Sequence, residues 1–309
     1  MRIAFFGTPE FAVPTLRALA GTDHTLAVFT QPDRPVGRKA ILTPPPVKSA
    51  ALELGLPVYQ FEKIRSPEGC AAIRAFAPDL YAVVAFGQLF SEENLSIPPL
   101  GAINVHGSLL PLYRGASPMQ QSVIDGQTVV GVSTMKLVKR MDAGDVLLQA
   151  ETPLGENETY GELSVRLAEL GADLFMKTLL ALEQGTLTPV PQEEEKATYC
   201  RMLTRESGKI DLSAPRQTIH DLIRGTNPWP GAYALLGNEA LKLWRTVLSD
   251  AEPPSELPVG GLFGDAKRGL FLRCTDGALE ITELQAPGGK KLDGKAFLRG
   301  KNIAGSVLA

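Results

Sequence analysis

Three residues whose side chains suit acyl transfer stand in two short stretches of this chain. Asn104 and His106 are two apart within GAINVHGSLLPLYRGASP, which runs from Gly101 to Pro118. Asp142 lies in a second polar stretch, Arg140-Met141-Asp142-Ala143-Gly144-Asp145. An amide can donate to an oxyanion as it develops. An imidazole can move a proton near neutral pH, and a neighbouring carboxylate favours its charged form. Neither a nucleophilic Ser or Cys pattern nor a cluster with metal-ligand spacing accompanies them. The set therefore suits direct transfer of an acyl group to an amine, without a covalent enzyme intermediate and with no metal. Both stretches also have a plain structural reading. Asn104 and His106 would make a buried polar pair tying a strand end to a loop. The Asp loop would be a turn, since Asp and Gly favour turns.

The surrounding pattern says what would hold these groups. Residues 102–106 read as an apolar strand, and an extended backbone puts Asn104 and His106 on one face. Gly107, Ser108 and a Leu-Leu-Pro turn follow. Further strands are predicted at 2–6, 25–30, 79–86 and 129–137. Helices are predicted at 11–20, 47–54, 66–76, 116–124 and 160–184. Strands alternating with helices imply an α/β fold, a Rossmann-like parallel sheet doubly wound by helices on both faces. Asn104, His106 and the Asp142 loop all follow strand ends, where such a sheet holds its ligand. The first turn, Phe6-Gly7-Thr8-Pro9-Glu10-Phe11, is not a dinucleotide fingerprint, because Pro9 and Glu10 stand where later glycines are needed. This argues against a nicotinamide or flavin cofactor and so against an oxidoreductase.

A chain of 309 residues, 44% hydrophobic, can bury a sizeable core and is expected to form two domains. Its formal charge of −3 carries no global signal for nucleic acid. Cys70, Cys200 and Cys274 are far apart, which fits a reducing cytosol. Met1-Arg2-Ile3 leads straight into a strand with no signal-peptide pattern, and no apolar run is long enough to span a membrane. Residues 31–48 form a Pro-rich loop with Arg34, Arg38, Lys39 and Lys48 against Asp33. That charge suits phosphate contact, and it equally suits a solvated surface loop. Beyond Arg205 short strands at 231–236, 240–248, 261–263, 270–274 and 279–284 follow a helix at 216–224. They suggest a small antiparallel barrel, with domains at 1–205 and 206–309. The second part carries 13 basic and 12 acidic residues, yet Lys290, Lys291, Lys295, Arg299 and Lys301 cluster near its end. Trp229 and Trp244 read as core residues rather than stacking platforms.

The run Asn104-Val105-His106-Gly107-Ser108-Leu109-Leu110-Pro111, with Asp142 thirty-six residues after His106, resembles the folate-dependent formyltransferases. The resemblance covers nearly the whole length. Phe6–Phe11, Gln31-Pro32-Asp33-Arg34-Pro35, Pro46-Val47-Lys48, Tyr113-Arg114-Gly115-Ala116 and Asn227-Pro228-Trp229-Pro230 also carry it. It implies 10-formyltetrahydrofolate as formyl donor and the amine of methionyl-initiator tRNA as acceptor. By the same resemblance Asn104, His106 and Asp142 would be catalytic, and Ser108, Leu109, Leu110 and Pro111 would shape the folate pocket. Arg38, Lys39, Lys290 and Lys291 would contact the tRNA, and the C-terminal barrel would be OB-like. A cytoplasmic monomer with no membrane association is expected. Arg140-Met141 before Asp142 and Ala143 after it depart from the usual Gly-Leu-Asp-Thr. Val138-Lys139-Arg140 followed by Asp142-Ala143-Gly144 is similar to the related nucleotide-sugar formyltransferases, so a sugar-nucleotide acceptor stays open.

Overall fold

Alternate residues along the N-terminal strands pack on opposite faces of one sheet, and both faces are apolar. The computed structural model describes residues 1–37 and 39–309, which divide into two compact units. The first comprises 1–118, 130–152 and 164–200, and the second 119–129, 153–163 and 201–309.

In chain order the first unit begins with β1 (Arg2–Gly7), α1 (Val13–Ala20) and β2 (Thr25–Thr30). A short hairpin follows, β3 (Arg34–Val36) with β4 (Ile41–Thr43), then α2 (Pro46–Glu53) and β5 (Val58–Gln60). Next come α3 (Pro67–Phe76), β6 (Leu80–Val84), α4 (Glu92–Leu95), β7 (Ala102–His106) and β8 (Arg114–Gly115). Helix α5 (Pro118–Ile124) falls almost wholly in the second unit. The chain continues through β9 (Val129–Lys136), β10 (Val146–Pro153), α6 (Tyr160–Glu183) and β11 (Tyr199–Cys200).

The seven-stranded sheet has the order β10-β9-β7-β6-β1-β2-β5. From β7 to β5 all neighbours are parallel. The sheet is the expected Rossmann-like, mainly parallel one, with one antiparallel neighbour where β9 runs against β7. Such an edge is common on otherwise parallel sheets. One face buries Ile3, Phe5, Val28 and Val105 against Leu16 and Leu19 of α1 and Phe175 of α6. The other buries Phe6, Phe29, Tyr81 and Val83 with Ile73 of α3. Phe6 stacks on Phe29 at 4.8 Å and meets Tyr81, Phe86 and Phe90 edge-on. Each such fully buried side chain contributes about 1.5–3 kcal/mol. Helix α3 starts where the Ser66 side chain accepts from Gly69 N–H and ends where Ala77 turns left-handed.

The second unit contains α7 (Arg216–Gly225) and the strands β12 (Ala232–Leu236), β13 (Glu239–Ser249), β14 (Leu262–Asp265), β15 (Gly269–Cys274) and β16 (Gly277–Gln285). They pair antiparallel in the order β12-β13-β16-β15-β14, and β17 (Leu292–Asp293) adds to β16. The last residues bridge both ends of this order, Leu308 to Leu236 and Val307 to Gly261, which closes the sheet on itself. Ile219 and Ile223 of α7 and Phe297 and Leu298 of α8 (Gly294–Gly300) fill the interior. Helix α8 went unpredicted, since its charged residues masked two core-facing ones.

His220 of α7 is buried, with Nδ1 2.9 Å from Thr246 Oγ1 and Nε2 3.0 Å from the Glu156 carbonyl. A carbonyl only accepts, so Nε2 carries the hydrogen and Nδ1 receives the hydroxyl. Burial is the main cause holding its pKa below the usual 6.5. The unfolded chain therefore takes up this proton first as pH falls below about 6.5, and stability drops in that direction. We expect the Tm to fall from pH 7.5 to 5.5 and the fall to be shallower in His220→Gln, measured by calorimetry at matched ionic strength. An identical slope in both proteins would remove His220 from the account.

Candidate active site

The parallel strands bury their apolar residues on both faces, so polar side chains gather where the strands end. Asn104 and His106 occupy that position on β7, with Asn104 half-buried and His106 6% exposed. Their same-face placement follows from the two-residue spacing. The Asn104 amide makes no side-chain hydrogen bond among the described residues. The Nε2 of His106 donates to the Tyr113 carbonyl at 2.9 Å. That bond fixes the tautomer, so Nδ1 carries the free lone pair.

Asp142 comes to the same place from the β9–β10 connection. Its Oδ2 lies 3.8 Å from His106 Nδ1. This is ion-pair distance but too long for a hydrogen bond. Asp142 is thus a neighbouring charge to His106 without a direct hydrogen bond to it. Oδ2 instead accepts from Gly115 N–H at 2.8 Å, and Tyr113, not Asp142, orients the ring. Asp142 itself sits at φ +48°, a left-handed conformation that Asp tolerates better than most residues.

The turn 108–111 is shaped from within. The Ser108 hydroxyl is buried and donates to the Leu112 carbonyl at 2.6 Å. Ser133 of β9 donates to the Ser108 carbonyl at 2.7 Å and accepts Leu110 N–H at 3.0 Å. Gln149 of β10 donates to both Leu110 O and Ser133 Oγ. Leu110 is buried, while Leu109 and Pro111 are half-buried. Ser133, Gln149, Tyr113 and Gly115 all went unassigned in the sequence. Only Tyr113-Arg114-Gly115 left a signal, as a motif without a role.

The basic residues divide differently from the count made in the sequence. Within 31–48, Arg34–Val36 and Ile41–Thr43 pair antiparallel and Pro46–Lys48 open α2, so the stretch is not a plain loop. Arg34 pairs with Glu62 at 2.6 Å, and Lys48 with Asp33 at 2.8 Å. Hydrogen bonds from Gln60 and then Lys48 hold the Asp33 carboxyl below its usual range. Those two cations are thus committed within the protein, and exposed Lys39 has no ion-pair partner among the described residues. Arg38 lies outside the described residues. The hairpin also exposes Val36, Ile41 and Leu42. A hollow of about 500 Å³ opens beside it, lined by Thr8, Gln31, Arg34, Val36, Pro45 and Ser49 but not by Asn104, His106 or Asp142.

On the second unit Lys290 and Lys291 are exposed, and the Lys291 ammonium lies 3.7 Å from the Trp244 ring centroid. Trp244 is buried, as expected, and its Nε1 donates to Gln285. Trp229 is not core. It is 49% exposed, because prolines on both sides fix the backbone and hold it in a short surface segment. The described residues hold no group of three metal-ligating side chains and no helix long and apolar enough to cross a membrane. Cys70, Cys200 and Cys274 are all buried.

A doubly wound sheet that ends in an amide, an imidazole and a carboxylate, and a separate small antiparallel barrel, define a class. The chain belongs to the formyl transferase family: the Formyl transferase model matches residues 1–179, and that of the formyl transferase C-terminal domain matches 202–302. Among its relatives is the methionyl-tRNA formyltransferase of Trichlorobacter lovleyi, 45% identical over 99% of this chain and 96% of that one. The methionyl-tRNA formyltransferase of Acidobacterium capsulatum is 46% identical over 98% of each. Solved structures share the fold at much lower identity. The sugar 3N-formyl transferase WlaRD, with dTDP and 5-N-formyl-THF, superposes with a TM-score of 0.69 at 16% identity, over 93% of this chain and 97% of that one. HypX from Aquifex aeolicus in complex with tetrahydrofolic acid gives 0.66 at 17%, over 96% of this chain and 47% of that one.

Ser133 satisfies a buried N–H, a buried carbonyl and a side-chain amide at once. Ser133→Ala should cost about 1–3 kcal/mol, the cost of stranding buried polar groups. Denaturant unfolding of the two proteins checks this, and equal midpoints would show that the turn does not need the hydroxyl.

Proposed function

We propose that this chain transfers the formyl group of 10-formyltetrahydrofolate to the α-amino group of methionyl-initiator tRNA, acting as a cytoplasmic monomer. The observation that carries the reading is the juxtaposition of the unengaged Asn104 amide, the His106 Nδ1 lone pair and the Asp142 carboxylate at one strand end. Relatives at 42–46% identity over nearly their whole length, all named methionyl-tRNA formyltransferase, support the acceptor.

In this reading the amine nitrogen attacks the formyl carbon and the carbonyl oxygen takes up negative charge. The Asn104 amide donates to that oxygen. Nδ1 of His106, kept free because Nε2 is held by Tyr113, receives the amine proton and returns it to the folate nitrogen as the C–N bond breaks. The Asp142 carboxylate favours the imidazolium that exists between those two steps. Amine deprotonation and nitrogen protonation balance, so no external acid or base is consumed. The self-bonded turn 108–111 forms a wall of the folate site. Lys39, Lys290 and Lys291, together with Arg38, meet tRNA phosphates. The domains are assigned as 1–205 for catalysis and 206–309 for tRNA.

Two experiments test this reading. Asn104→Ala, His106→Ala and Asp142→Ala should each lose on the order of 10²–10⁴ in kcat while staying folded. The assay offers charged initiator tRNA and a 4-amino-sugar nucleotide in parallel. Transfer to the sugar alone would replace the proposed acceptor. The Lys290→Ala/Lys291→Ala double variant should flatten the log–log salt dependence of tRNA binding by about two units. An unchanged slope would remove those lysines from the contact.

A further inference from the structure

Arg114 is the largest side chain that is wholly buried, and no step of the proposed reaction uses it. Its Nε donates to Gln192 Oε1 at 3.0 Å. One terminal nitrogen bonds Glu194 at 3.1 Å and the Tyr199 hydroxyl at 3.1 Å, and the other has no hydrogen-bond partner among the described residues. A guanidinium with no exposure needs a strong reason to be there, because burying charge is costly unless it is paired. The partners supply that reason, since they lead back to Asp142. The Gln192 amide nitrogen donates to the Asp142 carbonyl at 2.8 Å and to the Gly144 carbonyl at 2.7 Å. Glu194 also pairs with Arg140, two residues before Asp142. Hydrogen bonding from Arg114 first, and then from Arg140, holds the Glu194 carboxyl below its usual range.

The loop that carries Asp142 is thus gripped from both sides of the left-handed residue. Gln192 takes the backbone carbonyl of Asp142 itself, Glu194 takes Arg140, and Gly115 N–H takes the carboxylate. Arg114 orders the first two, and Gly115 is its neighbour in β8. Gln192 is suited to the task because its amide both accepts from Arg114 and donates to two carbonyls. A carboxylate at that position could only accept.

We propose that Arg114, Gln192 and Glu194 form a clamp that positions the Asp142 carboxylate opposite His106 Nδ1. They are positioning residues and touch no reacting atom. The inference rests on the reading of Asp142 as one of the reacting groups. Displacing such a group by about 1 Å typically costs on the order of 10² in rate.

The test is a double-mutant cycle on Gln192 and Asp142, read as single-turnover rate with saturating donor and charged tRNA. Gln192→Ala should lower the rate by about 10- to 100-fold and change the KM of either substrate by less than about threefold. Gln192→Glu should fare no better, since it keeps the acceptor and loses both donors. In the Asp142→Ala background the same Gln192→Ala change should cost less than about twofold, because the group it positions is gone. A merely structural Gln192 would lower the rate equally in both backgrounds, and that result, or a parental rate for Gln192→Ala, would overturn the clamp. In either case a slow Asp142→Ala enzyme would leave the proposed chemistry standing. A parental rate for Asp142→Ala would overturn that chemistry and the clamp with it. Should Gln192→Ala not fold, Glu194→Gln at its half-exposed position enters the same cycle, with an expected loss of about three- to tenfold.

Discussion

Three consecutive residues, Tyr113, Arg114 and Gly115, hold the candidate site together. The Tyr113 carbonyl receives His106, the Arg114 side chain holds Gln192 and Glu194, and the Gly115 N–H holds the Asp142 carboxylate. Their spacing is set by the parallel pairing of β8 with β11, in which Arg114 lies opposite Tyr199 and Gly115 opposite Cys200. The approach is close. A Cβ on Gly115 would lie 2.1 Å from the Cys200 carbonyl oxygen, and its φ of +120° already excludes most residues. A two-residue ladder therefore positions both the imidazole and the carboxylate, one through a carbonyl and the other through an amide.

This arrangement works because the sheet beneath it is rigid and dry. Strands buried on both faces leave polar groups nowhere to go except the ends, where loops can satisfy them. Thr134 and Thr178 are exceptions that prove manageable, since their hydroxyls bond each other at 2.8 Å inside the first unit. Asn104 and His106 thus stand on a strand that packing fixes, while Asp142 stands on a loop that hydrogen bonds aim.

Charge shows the opposite behaviour. In the sequence Arg34 and Lys48 look like free cations on a basic loop. In the fold each meets a carboxylate from the surrounding backbone, Glu62 and Asp33. Arg114, read only as part of a motif, proves to be a buried cation with a carboxylate, an amide and a phenol around it. Long side chains report their partners only once the chain is folded, because those partners lie 15 to 85 residues away.

Local pattern determined much of this protein. Short apolar runs placed β2 and β7 to the residue and helical periodicity placed most helices within two or three residues, because burial acts on each segment alone. The same-face placement of Asn104 and His106 needed only an extended backbone. The antiparallel edge at β9, the hairpin at 34–43 and helix α8 were decided by tertiary structure, since each depends on a neighbour distant in the chain. So was the geometry around His106. Residue types announced an amide, an imidazole and a carboxylate, but the folded chain assigned the His106 tautomer to Tyr113, the Asp142 carboxylate to Gly115 and its carbonyl to Gln192. Those bonds join residues 7, 27 and 50 positions apart, and no local propensity encodes a contact made only after the strands have assembled.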